Sequence, residues 1–103
     1  MNNPYRYDAN TERDYWRTQY EKEGYFEAGN TYDDYEGAYR AGYEGRNQYA
    51  GKTFDEVETD VKVAWEKTKG NSRLAWEKAK HAARAAWDRV ERAMPGDADR
   101  DGR

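Results

Sequence analysis

Leu74 is the only leucine in this 103-residue chain, and isoleucine is absent. Four valines and two phenylalanines bring the residues that fill most protein interiors to seven. That is far below the level of about one-fifth that usually separates globular from disordered chains. Two features oppose disorder. The net charge is only −3 and aromatics make up 16% of the chain, whereas disordered segments are typically highly charged and poor in aromatics. Any core must therefore be built from Tyr, Trp and Ala. Such a core buries a large area per residue, but each Tyr hydroxyl and Trp N–H needs a polar partner or water. Marginal stability is the expectation, with one modest core at most for a chain of this length.

Cysteine is absent, which leaves no disulfide framework, thiolate metal site or cysteine nucleophile. The opening "MNNPYRYDANTERDYW" holds no apolar signal segment, and no window approaches the ~20 apolar residues of a membrane span. The expected location is the cytoplasm. All ten Tyr lie between Tyr5 and Tyr49, while three of the four Trp follow residue 60. Residues 1–52 carry 7 basic and 10 acidic side chains, and residues 53–94 carry 9 and 8. Neither half has enough apolar surface to fold alone.

Helix signals recur along the chain and agree with one another. In "TFDE", Thr53 and Glu56 form a capping box, and Phe54, Val57, Val61, Ala64, Trp65 and Thr68 then follow the spacing of one helix face. Lys67 and Lys69 suit a helix C-terminus, and Gly70 is a natural residue just past it. Asn71 or Ser72 can cap a further helix that Pro95-Gly96 stops. Upstream, Thr31 and Asp34 repeat the capping logic ahead of a stripe of Tyr32, Tyr35, Tyr39 and Tyr43. A weaker segment holds Tyr15, Trp16 and Tyr20. No window alternates with period two, so strands are not expected.

Trp65, Trp76 and Trp87 stand at intervals of eleven, each inside an Ala-Trp-acid-base stretch. Eleven residues span three turns plus about 20°, so the spacing returns a side chain to nearly the same face. With Trp76 as origin, Ala79, Ala83, Trp87, Val90 and Met94 lie on its side, opposite Lys78, His81, Arg84, Asp88 and Arg92. Pairs four apart, such as Arg73–Glu77 and Arg84–Asp88, are placed to lace the outer face. A break at Gly70-Asn71 is the preferred reading, since both flanks carry terminal signals. In "EGAYRAGYEG", Gly37, Ala38, Ala41, Gly42 and Gly45 form a low ridge beside the tyrosines. Arg40, Glu36 and Glu44 exclude a membrane helix there, so the ridge is read as a groove for the later tryptophans.

The expected fold is all-α: a small bundle of three or four amphipathic helices with a Tyr/Trp/Ala core. Residues 1–94 form a single helical domain with helices near 11–23, 31–50, 53–69 and 72–93, and residues 95–103 a polar flexible tail. The expected core comprises Trp16, Tyr35, Tyr39, Val57, Val61, Trp65, Trp76, Trp87 and Val90.

Chemistry-bearing constellations are sparse. His81 is the only histidine and has no nucleophile or companion ligands at useful spacing. The glycines of 37–51 lie within a capped helical pattern and do not follow a strand, so no phosphate loop is read there. "DADRDG" (97–102) supplies the first half of a calcium loop through Asp97, Asp99 and Asp101, but the chain ends before the bidentate acid. No metal, cofactor or catalytic residue is expected. The rival to a non-enzymatic protein is single-stranded nucleic-acid binding. Residues 72–94 carry 6 basic and 3 acidic side chains, and "YRAGYEGRNQY" interleaves Arg with Tyr as stacking proteins do. The overall pI of about 5.2 opposes it.

The stretches "DYW", "YDDYEGAYRAGYEGR", "YAGKTFDEVE", "KGNSRLAWEKAKHAARAAW" and "PGDADRDGR" together resemble a group of uncharacterised, short, hydrophilic bacterial proteins linked to stress response. That resemblance spans most of the chain and implies no established activity. Residues 61–93 are also similar to the eleven-residue repeats of group 3 late-embryogenesis-abundant proteins, which are poor in aromatics where this chain is rich. The expectation is a non-enzymatic helical protein with a protective or protein-interaction role in bacterial stress response. Its partner would be protein, self or other, with no membrane, nucleic acid or metal.

Overall fold

The computed structural model describes residues 6–70 and 72–93. Within them lie four helices: α1 (Ala9–Gln19), α2 (Tyr32–Gln48), α3 (Phe54–Thr68) and α4 (Trp76–Ala93). A single 3₁₀ turn, Tyr20–Lys22, extends α1, and no strand occurs among the described residues. The fold is all-α, as the periodicities imply. Met94 and the polar tail with its calcium-like half-loop lie outside the described residues.

The caps explain where the helices begin. Asp8 accepts from the Asn10 N–H at 2.9 Å, so α1 starts two residues before the expected Thr11. Thr53 and Glu56 complete the box at α3: the Glu56 N–H donates to Thr53 Oγ1 at 3.1 Å, and the Thr53 N–H to Glu56 Oε1 at 2.8 Å. Gly70 takes φ +56° just past α3, a backbone that only glycine adopts freely, and the helix breaks there. The last helix begins at Trp76 and not near 72. Residues 72–75 form non-helical chain, because Ser72 and Arg73 are bonded to Asp34 at the start of α2.

The interior centres on α2, which packs against each of the other three helices and most extensively against α4. Its small residues set that contact. A Cβ added at Gly42 would lie 2.1 Å from the Ala83 carbonyl oxygen, and one at Gly37 would lie 2.7 Å from Lys69 Cα. At Gly45 the neighbours are Val61 and the Trp87 ring. The ridge thus brings backbones together at Gly42 and Gly37 and receives a tryptophan only at Gly45. Ala79, Ala82, Ala83 and Ala86 complete the α4 side of this joint, all fully buried.

Aromatics fill the remaining space. Trp16 stacks on Tyr39 with centroids 4.5 Å apart, and Tyr35 packs against Tyr20, Tyr25 and Phe26. The tryptophan ruler resolves into a hairpin: Trp65 meets Trp76 at 5.3 Å, while Phe54 at the start of α3 meets Trp87 at 5.7 Å. Both pairs are centred on the same point of the chain, between positions 70 and 71. Equal spacing here places partners opposite one another across an antiparallel turn.

The glycine–alanine joint is directly testable. Overpacking a tight site costs about 1–3 kcal/mol and more where backbone must move. Gly42→Ala should lower the melting temperature by more than about 10 °C, at roughly 4–8 °C per kcal/mol for a domain of this size. Gly24→Ala, with nothing within 4 Å of the added methyl, is the control and should stay close to wild type. Thermal melts followed by near-ultraviolet circular dichroism make the comparison.

Candidate functional site

Of the expected core residues, Trp16, Tyr35, Tyr39, Val57, Val61, Trp65, Trp87 and Val90 are buried, each 5% exposed or less. Trp76 departs from expectation and is only partly buried. The buried face of α4 runs along Ala79, Ala83, Ala86 and Val90, about 50° around the helix from Trp76 at 100° per residue. Trp76 therefore sits at the edge of the stripe, where its indole N–H donates to Glu58 Oε2 at 3.1 Å. The buried Trp16 and Trp65 indoles have no hydrogen-bond partner among the described residues.

Three charged groups inside the fold were not anticipated. Glu12 is fully buried and accepts from Arg89 Nε at 3.0 Å. The Arg89 guanidinium also lies over the Tyr15 ring, 3.7 Å from its centroid. Arg46, buried on α2, pairs with Glu91 of α4. Asp34, expected only as a capping residue, is buried and forms a clamp. Its carboxylate accepts the Thr31 N–H at 2.9 Å, and from Arg73 the backbone N–H and Nε at 3.2 Å and Nη2 at 2.6 Å. Arg73 Nη2 also donates to the Gly29 carbonyl at 2.9 Å, and Ser72 Oγ donates to the Asp34 carbonyl at 2.6 Å.

The sequence does carry traces of these positions. Glu12 is four residues before Trp16 and shares its face, and Arg46 is seven after Tyr39 on the Tyr stripe. A charge on a core stripe signals either a misread helix or a buried partner. The Asp34–Arg73 contact has no such signal, since it joins a helix start to a connection.

The pairs four apart expected along α4 give way to pairs between elements. Lys78 meets Glu27, Arg84 Nη1 meets Asp55 Oδ1 at 3.1 Å, and Arg73 meets Asp34. His81 is exposed and lies parallel to the Tyr25 ring, with centroids 6.5 Å apart. The Tyr25 and Tyr39 hydroxyls bond each other at 2.7 Å. Burial pushes both hydroxyls well above the ordinary tyrosine range, and Tyr43 up to about 12. These phenols stay protonated at neutral pH and act as hydrogen-bonding core groups. Among the described residues no three His, Asp or Glu side chains gather as a metal site, and no helix is long and apolar enough to cross a membrane. A hollow of about 240 Å³ between Phe54 and Trp87 is flanked by Lys52, Arg84, Asp88 and Glu91, smaller than a typical small-molecule pocket.

Compared with known protein families, with curated proteins and with solved structures, the chain matches none.

The clamp makes stability depend on acid. Arg73's side-chain hydrogen bonds hold the Asp34 carboxyl at about 2, against an ordinary 3.8. A depressed acid stabilises the fold fully above its unfolded value and loses that contribution as pH falls through its folded one. With exposed Arg73 screened by water, the contribution is about 1–2 kcal/mol at neutral pH. Urea unfolding between pH 5 and about 2 should show wild type losing this amount below pH ~4. Asp34→Asn should start lower at pH 7 and show a flatter slope over the same window. An identical slope in the variant would remove Asp34 from the account.

Proposed function

We propose that this chain is a non-enzymatic helical protein with a protective or protein-interaction role in bacterial stress response, acting in the cytoplasm. The observation that supports this reading is that three cations of α4 are paired with acids of other elements and most aromatics pack against one another. A nucleic acid lying on α4 would need Lys78, Lys80, Arg84, Arg89 and Arg92. Lys78, Arg84 and Arg89 already face Glu27, Asp55 and Glu12. Of the tyrosines expected to stack on bases, Tyr39 and Tyr43 are buried, with Tyr39 stacked on Trp16 and Tyr43 packed against Tyr7. Phosphate contact through Lys78, Arg84 or Arg89 would compete with these pairs, against the net −3 of the first 52 residues.

What remains outward is a surface of mixed sign on a chain that is 38% charged. Interspersed charges keep a protein hydrated and resist non-specific association, a property suited to a chain that stays in solution while others precipitate. The stress-response and bacterial elements of the reading rest on the sequence resemblance described above.

Two measurements test it together. Light scattering of a heat-labile enzyme, heated with and without the chain, should show less aggregation in its presence. Fluorescence anisotropy with a labelled single-stranded oligonucleotide should show no binding near physiological salt, about 0.15 M. Micromolar binding that weakens by about 0.7–0.9 log units per phosphate contact for each tenfold rise in salt would overturn the reading in favour of nucleic-acid binding.

A further inference from the structure

The hairpin of α3 and α4 contains a coincidence that a hairpin does not require. If the chain from Val61 to Val90 were one straight helix at 100° per residue, every buried residue except Leu74 would fall within an arc of about 140°. Two helices joined by a turn can face any relative angle, because the turn resets the register. Here the buried faces of α3 and α4 are written in the register of a single continuous helix, with Trp65, Trp76 and Trp87 in line.

Little holds the two forms apart. Gly70, with φ +56°, carries the only left-handed backbone among the described residues between α3 and α4. Beyond it, residues 72–75 are held against the start of α2 by Ser72 and Arg73 on Asp34, and Leu74 is buried. On a continuous helix Leu74 would face away from the stripe. The Asp34 clamp and Leu74 are therefore the latch on the hairpin.

We infer that the chain opens at Gly70 and exchanges α4 with a second copy of itself, forming a two-fold dimer with a continuous α3–α4 helix in each chain. The occupant of the vacated α2 face must be another copy. Only an α4 presents the Ala83 backbone that Gly42 accepts in direct contact. The pairs Phe54–Trp87 and Trp65–Trp76 share one centre along the chain. A two-fold axis at that centre re-forms both between chains, making an isologous interface. Glu12–Arg89, Arg46–Glu91 and Asp55–Arg84 likewise re-form with the incoming helix. Only the latch contacts are lost. The balance between hairpin and exchange therefore rests on the latch and responds to changes at Gly70 or Arg73.

Gly70→Ala and Arg73→Ala, made singly in the full chain, test this. The first disfavours the turn and favours helix, and the second releases the latch at an exposed side chain. Each should tighten self-association by ~10-fold or more, as gel filtration with light scattering over a concentration series reads it. The natural chain has no cysteine, so Asp55→Cys with Arg84→Cys, added to each variant, provides one facing pair for a short bismaleimide. Exchange links the pair between chains and yields a species of twice the mass under denaturing conditions. The near-ultraviolet spectrum should remain that of the wild type. Monomers linked within the chain would overturn the inference, as would dimers whose links stay internal. So would loss of the aromatic spectrum without dimerisation in both variants, since the opened hairpin would then have found no second copy.

Discussion

At Gly42 the backbones of α2 and α4 come so close that a methyl group would land 2.1 Å from the Ala83 carbonyl oxygen. This approach compensates for a chain almost without aliphatic side chains. Where no leucine or isoleucine is available to fill the gap between two helices, the gap itself is removed. Glycine on one side and alanine on the other let main-chain atoms supply the dispersion contacts that branched side chains usually make. The large aromatics then fill the remaining space: Trp16 stacks on Tyr39, Phe54 packs against Trp87, and Trp65 against Trp76.

Building a core this way leaves α4 with little to fix its position along α2, because alanines offer shallow features. Charge supplies the missing register. α4 or its leading residues reach every other part of the fold through an ion pair: Glu12 in α1, Asp34 and Arg46 in α2, Glu27 ahead of α2, and Asp55 in α3. In three of these pairs one partner is buried, Glu12, Asp34 or Arg46; burying them adds little net stability, because desolvation offsets attraction, but mispairing leaves a buried charge uncompensated at about 3–5 kcal/mol. The pairs act chiefly on specificity.

Much of this fold could be read in advance, and the failures have identifiable causes. Capping residues and aromatic stripes located all four helices, because both signals act within one or two turns. The ridge of small residues was visible as a contact surface, though its main partner is the α4 backbone and not tryptophan. The start of α4 is not legible locally, because Ser72 and Arg73 just ahead of it are claimed by Asp34, some forty residues away. The eleven-residue spacing makes Trp76 look like the centre of its stripe, whereas the alanines set that centre. A charged residue on a core stripe, such as Glu12 or Arg46, is legible only once its partner on another helix is known.

The claim on which the rest depends is that α2 and α4 form one cooperative unit through their backbone joint. Native-state hydrogen exchange measures this directly, since amides that open only with global unfolding share a single opening free energy. The account predicts that amides from Ala38 to Tyr43 in α2 and from Ala82 to Trp87 in α4 exchange with the same opening free energy, within about 0.5 kcal/mol, and that it is the highest in the chain. An α4 that opens about 2 kcal/mol more easily than α2 would show a helix docked loosely by its side chains, and would contradict the account.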